Sequence, residues 1–168
     1  MALIECIPDE NNRTFTTGPG DWAGDFVWYG DVLSGRQGYI RVTIPSPETT
    51  KTISLAYPAI KPVPGKIHLL GSQACKIIYD FGPNLIELLL TDGVYSFVGK
   101  CSLPSGPLIW DGCGTGFDIP KDWNVENTVL EITINRIHAD PADIALDDFT
   151  LYYETIARPQ YLPVMGVG

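Results

Sequence analysis

Val129-Leu-Glu-Ile-Thr-Ile-Asn-Arg-Ile137 and Ile144-Ala-Leu-Asp-Asp-Phe-Thr-Leu-Tyr-Tyr-Glu154, joined by His138-Ala-Asp-Pro-Ala-Asp143, decide the fold class. In the first run Leu130, Ile132 and Ile134 share one face, and Glu131, Thr133 and Asn135 the other. In the second, Ile144, Leu146, Asp148, Thr150 and Tyr152 fall on one face, and Ala145, Asp147, Phe149, Leu151 and Tyr153 on the other. Alternation with period two over this length predicts antiparallel β-structure with one buried face, and the two runs read as a hairpin. Asp147 and Asp148 interrupt the second run. Strict alternation sends the two carboxylates to opposite faces, so they are not expected to act together on one substrate atom.

Outward from this pair, the chain continues in the same style. Leu3–Ile7, Asp25–Asp31, Gly38–Ile44, Thr52–Pro58, Lys66–Leu70, Lys76–Asp80, Leu85–Leu90 and Tyr95–Leu103 are short β-prone segments punctuated by turn residues. Asp92-Gly93 marks a hairpin turn. Lys61-Pro-Val-Pro-Gly65 suits a crossing between two sheets. Pro104 to Pro120, rich in Gly and Pro, reads as a long irregular loop, and Pro120–Trp123 as a single helical turn. No segment of convincing length has helical periodicity. The expectation from this pattern is an all-β fold, a sandwich or barrel over residues 1–154, followed by an extended C-terminal arm, 155–168. That arm carries Tyr161, Leu162, Val164 and Met165 with almost no charge, and it is expected to dock as an assembly contact.

The chain has 168 residues, 45% hydrophobic and 18% charged, enough for one domain with a sizeable core. A net charge of −9, with only 11 Lys and Arg, argues against nucleic acid or an anionic membrane as partner. No apolar run approaches the roughly 20 residues of a membrane span. Residues 1–10 lack the features of a secretory signal, so the expected location is a virion or the extracellular space after cytosolic synthesis. Four cysteines, Cys6, Cys75, Cys101 and Cys113, form no C-x-x-C pair, which disfavours zinc. They read as buried thiols; in an oxidising compartment Cys101–Cys113 is the best disulfide pair.

Asn12-Arg-Thr-Phe15, Trp22, the middle strand Thr52–Tyr57 and the closing Ile144–Leu151 together resemble the galactose-binding-like jelly rolls, which include many carbohydrate-binding modules. The resemblance spans roughly Leu3 to Glu154 and implies an antiparallel two-sheet β-sandwich, a jelly roll. Thr16 stands where that family has an acid. The resemblance implies a structural calcium held by Asp147 or Asp148 with Asp9, Glu10 or Asn12, because calcium takes six to eight oxygen ligands. It also implies glycan binding through exposed aromatic rings. Trp110, Trp123 and Tyr29 are the candidates, whereas Trp22 and Trp28 sit in strand patterns that more often fill a core.

No nucleophile elbow, P-loop or His-Glu-x-x-His is present, and no catalytic role is expected. Two functions remain. One is a structural or interaction protein of a virion-like assembly (capsid decoration, tail or fibre), with copies of itself or other virion proteins as partners. The other is a carbohydrate-binding module or adhesin. The absence of a signal peptide and the apolar arm place the virion role first.

Overall fold

The structure is a computed structural model in which residues 2–78, 84–103, 106–138 and 140–155 are described. Among them are eleven strands: β1 (Ala2–Glu5), β2 (Ala23–Gly24), β3 (Val27–Leu33), β4 (Arg36–Ile44), β5 (Thr50–Ala56), β6 (Ile67–Lys76), β7 (Asn84–Thr91), β8 (Ser96–Leu103), β9 (Trp110–Asp118), β10 (Val129–Arg136) and β11 (Ala142–Thr155). The helical elements described are two single 3-10 turns, Glu10–Asn12 and Val125–Asn127. Every strand pairing is antiparallel. One sheet runs β3-β4-β11-β6-β9, with β1 also on β11; the other runs β2-β5-β10-β7-β8. The fold is therefore an antiparallel two-sheet β-sandwich. The C-terminal arm from 156, with Tyr161, Leu162, Val164 and Met165, lies outside the described residues.

The core follows from alternation. Leu130, Ile132 and Ile134 of β10 meet Ile53 and Leu55 of β5 and Ile86, Leu88 and Leu90 of β7 on the inner face of the second sheet. Ile40, Val42 and Ile44 of β4 and Ile144 and Leu146 of β11 face them from the first. Cys101 of β8 and Cys113 of β9 form a disulfide, Cα–Cα 5.9 Å, that joins two edge strands belonging to different sheets. Cys6 and Cys75 are free and buried.

Four expectations need correction. The runs 129–137 and 144–154 are not a hairpin: β10 lies at the centre of one sheet and β11 at the centre of the other. Both patterns are half-buried, and periodicity reports a buried face without saying which strand is the neighbour. The expected strand 66–70 does not stop before Lys76, because β6 runs without a break through Gly71-Ser-Gln73, and residues 79–80 of the expected strand 76–80 lie outside the described residues. The single helical turn expected at Pro120–Trp123 is a lone hydrogen-bonded turn, closed by Trp123 N donating to Pro120 O at 3.2 Å, and a 3-10 turn follows it at Val125–Asn127. Finally, the stretch 104–120 is not one irregular loop. It contains the nine residues of β9, where Gly112, Gly114 and Gly116 alternate with Cys113, Thr115 and Phe117. Glycine is depleted in strands, so composition hid a period-two pattern.

Alternation in β11 also fails at one place. Its register against β6 shifts between Asp147 and Thr150, and Asp148 takes φ +56°. This is a β-bulge, and one extra residue exchanges the two faces beyond it. Ile144 and Leu146 point inward before the bulge; Phe149 and Leu151 point inward after it. Phe149 thereby meets Trp22 at 4.5 Å and Phe15 at 5.8 Å between ring centroids. Buried Asn12 fixes Trp22 there: its Oδ1 accepts from Asp21 N at 2.6 Å, and its carbonyl accepts from Trp22 Nε1 at 2.9 Å.

Candidate functional site

The outer face of the first sheet divides into two halves at the bulge. On the β3 side, Tyr39, Cys75, Ala145 and Asp147 point outward yet are buried, with Tyr29, Leu33, Ile77 and Trp110 packed around the first three. The cover is the β3–β4 turn. Ser34 and Gly35 adopt positive φ (46° and 86°), which matches a two-residue hairpin turn. Ser34 Oγ donates to Leu108 O at 2.7 Å, and Trp110 Nε1 donates to Leu33 O at 3.1 Å. Arg36 lies 5.2 Å from the centroid of the Trp110 ring and reaches Asp147 Oδ2 at 3.4 Å and Asp148 Oδ2 at 3.7 Å. A planar guanidinium suits both an aromatic face and a carboxylate.

The two aspartates therefore do not point apart. The bulge brings both carboxylates to one arginine. Burial pushes the Asp147 carboxyl up to about 6, against the opposing pull of its backbone hydrogen bond and of Arg36. Its Oδ1 has no hydrogen-bond partner among the described residues.

These residues do not fit a calcium ion. A guanidinium already stands at the aspartate pair, and calcium takes six to eight oxygens. Glu10 is exposed on the first 3-10 turn, and the Asp9 carboxylate accepts from Asn11 N at 2.9 Å. Among the described residues no three His, Cys, Asp or Glu side chains converge. The first and last strands are joined by the β1–β11 ladder and by Glu5, whose Oε1 accepts from Leu151 N, Ile7 N and Cys6 N at 2.9, 3.0 and 3.1 Å.

The aromatic candidates separate as well. Trp123 is 4% exposed, with Nε1 donating to Thr128 Oγ1 at 2.8 Å, so the expectation of an exposed ring is corrected. It follows a loop in sequence but packs against Phe97 in the core. Trp110 is half-buried under Arg36. Tyr29 is half-buried, stacked on Tyr39 with ring centroids 5.3 Å apart, and Arg41 lies over its ring at 5.7 Å. Trp22 fills the core, as its pattern implied.

Among the described residues the same face is open beyond the bulge. Thr150 and Tyr152 of β11 lie beside Gly71 and Leu69 of β6, and Gly71, Leu69 and Ile67 lie beside Gly114, Gly116 and Asp118 of β9. Two adjoining hollows of about 420 and 740 Å³ share Leu69 and run along the strands. Together they make a trough floored by glycine backbone, with Tyr152 and Leu69 as apolar walls. Lys66, Asp118 and Glu154 stand at the wider end. Glycine within a strand often marks close approach of a ligand or another backbone. A Cβ at Gly71 would stand 3.1 Å from Thr150 Oγ1, so even alanine would crowd the floor. Sequence reasoning missed Tyr152 and these glycines; the legible signal was Gly-x-Gly-x-Gly at 112–116.

No family model and no curated protein sequence matches the chain. Solved structures share its architecture. An arabinose-bound α-L-arabinofuranosidase, MgGH51, superposes with TM-score 0.71 at 12% identity, covering 90% of this chain and 27% of that one. The carbohydrate-binding module TmCBM61, in complex with β-1,4-galactotriose, gives 0.59 at 13% identity, covering 87% and 97%. The enzymatically active domain of tailspike protein 4 from bacteriophage CBA120 gives 0.61 at 12% identity, covering 87% and 21%. Carbohydrate-binding modules of families 22 and 16 share the architecture too. The chain thus spans about a quarter of the arabinofuranosidase and nearly all of the isolated module. At these identities the likeness is one of fold.

Proposed function

We propose that this protein is a non-catalytic carbohydrate-binding module, and that the glycine-floored trough on the outer face of the first sheet is its glycan site. The observation that carries the reading is the pairing of a glycine-lined floor with a half-buried Tyr152 ring beside it. A pyranose presents a C–H face that stacks on an aromatic ring, and hydroxyls that need hydrogen-bond partners within reach; Thr150 supplies both donor and acceptor, Asp118 and Glu154 supply acceptors. The several carbohydrate-binding modules among its structural neighbours support this reading as an analogy of fold.

This reverses the order set by the sequence. The virion role rested on the chain's start and on the arm, and the tailspike likeness is one of architecture over 21% of that chain. The open trough favours the glycan reading.

A glycan array followed by calorimetry tests it. Binding to at least one neutral glycan is expected, weakened about tenfold or more by Tyr152→Ala, which corresponds to ~1.4 kcal/mol. Binding that is indifferent to Tyr152→Ala and to Gly71→Ala would remove the trough as the site.

A further inference from the structure

Among the described residues the trough has one open end and one closed end. It opens at Gly65, Lys66 and Thr155. At the other end its floor runs from the row Thr150–Gly71–Gly114 to the row Asp147–Gln73–Gly112, where Arg36 stands above the sheet. The distance from Ile67 to Gly71 is four residue steps, roughly 13 Å of strand. A ligand lying along it from the open end therefore meets Arg36 and Asp148 within a short oligosaccharide's length.

The barrier is built, not incidental. β3 and β9 are opposite edges of the sheet, yet the β3–β4 turn is tied to the start of β9 by the Ser34–Leu108 and Trp110–Leu33 hydrogen bonds. The turn is thus a strap across the whole outer face. Arg36 is held by the Trp110 ring and by two carboxylates, and Tyr39, Cys75 and Ala145 are sealed beneath. The side chains of Arg36 and Asp148 remain 32% and 44% exposed, so a donor and an acceptor stay available at the closed end.

We propose that the trough is blind and takes the terminal unit of an uncharged glycan chain, with Arg36 and Asp148 meeting the terminal hydroxyls. This rests on the glycan reading above. An interior segment must leave a trough at both ends, and the strap stands in one of those paths. A chain end presents a free hydroxyl where an interior unit carries a linkage, and a guanidinium–carboxylate pair offers that hydroxyl both an acceptor and a donor. The charge favours an uncharged chain: Asp118, Glu154, Asp147 and Asp148 outnumber Lys66 and Arg36 around the trough, Arg36 is already paired with carboxylates, and the whole chain carries −9.

The test uses the insoluble form of the neutral polysaccharide that the array selects, before and after limited endo-hydrolysis at constant mass. Doubling the number of chain ends should double the saturating amount of bound protein. Soluble oligosaccharides capped at one terminus should compete less well than uncapped ones for one of the two capping positions. Arg36→Ala, checked for an unchanged fold by circular dichroism, should make capacity follow polymer mass instead of ends. Capacity of the unaltered protein that follows mass, or competition indifferent to a cap at either terminus, overturns the blind end while leaving the glycan site intact. No binding to any glycan, with concentration-dependent dimers abolished by Ile67→Glu, gives the face to a second copy and overturns both.

Discussion

The carboxylate of Glu5 accepts the backbone N–H of Leu151 at 2.9 Å, joining the first strand to the last by a side chain. Two further N–H groups, of Cys6 and Ile7, donate to the same oxygen, and Cys6 N also donates to Leu151 O at 2.6 Å. Hydrogen bonds to a charged acceptor contribute about 1.5–3 kcal/mol, and an unpaired buried donor costs a similar amount. Glu5→Ala should therefore lower unfolding free energy by about 2 kcal/mol in denaturant titration. Added calcium should not restore it, since this carboxylate performs the clip that a metal was expected to provide.

Trp123 and Tyr152 should behave oppositely. Trp123→Ala empties a core position beside Phe97 and strands Thr128 Oγ1, and should cost about 3–5 kcal/mol. Tyr152 lines the open trough, so Tyr152→Ala should lose glycan affinity with a stability change of about 1 kcal/mol or less. Paired thermal melts and binding isotherms separate the two.

His68 should make stability fall on the acid side of neutrality. It is fully buried; Nε2 accepts from Val63 N at 3.1 Å, and Nδ1 lies 3.0 Å from Lys66 O, to which its proton is donated. Only the neutral ring satisfies both partners. Burial holds its pKa below the ordinary 6.5, partly offset by the Lys66 carbonyl. The folded state thus binds this proton less readily than the unfolded state, so the stability it contributes is full above 6.5 and is lost as pH falls below that value through the folded pKa. Melting temperature should drop from pH 7 toward pH 5, and His68→Gln should remove that fall.

Asp147 should work in the other direction. Its carboxyl, pushed by burial from 3.8 up to about 6, takes a proton more readily in the folded state. Its contribution is greatest below 3.8 and declines as pH rises through 6. In a His68→Gln background, stability should rise as pH falls from 7 to 5, and adding Asp147→Asn should abolish the rise.

The Cys101–Cys113 disulfide closes a loop of sequence separation 12 and joins the sheets at their edge. Loop closure of this size corresponds to about 3 kcal/mol. Replacing both cysteines by serine should reduce stability by that order, read by denaturant midpoint, with near-native β-sheet circular dichroism retained.

How much was legible depends on whether a signal was local. The half-buried strands were, because a strand with one wet face must alternate: Leu130, Ile132 and Ile134 are buried as read. Asn12, Phe15 and Trp22 were legible as a constellation, and they do form the plug against Phe149. Trp123 was misread because a loop neighbourhood says nothing about where a ring packs. β9 was missed because the glycines that make it useful as a floor also make it resemble a loop.

Period, turn chemistry and spacing are local, so the residues alone disclose an all-β chain, the faces of its unbroken half-buried strands such as β10, and the best disulfide pair. That β10 and β11 belong to different sheets emerges from the folded chain, because pairing is a choice among distant strands with the same pattern. The meaning of Asp147-Asp148 emerges there as well. A single left-handed residue at Asp148 exchanges the faces of β11, brings both carboxylates to Arg36, and divides the outer face into a sealed half and an open one. Alternation cannot foresee a bulge, because the extra residue leaves each local pattern intact and alters only which face it serves.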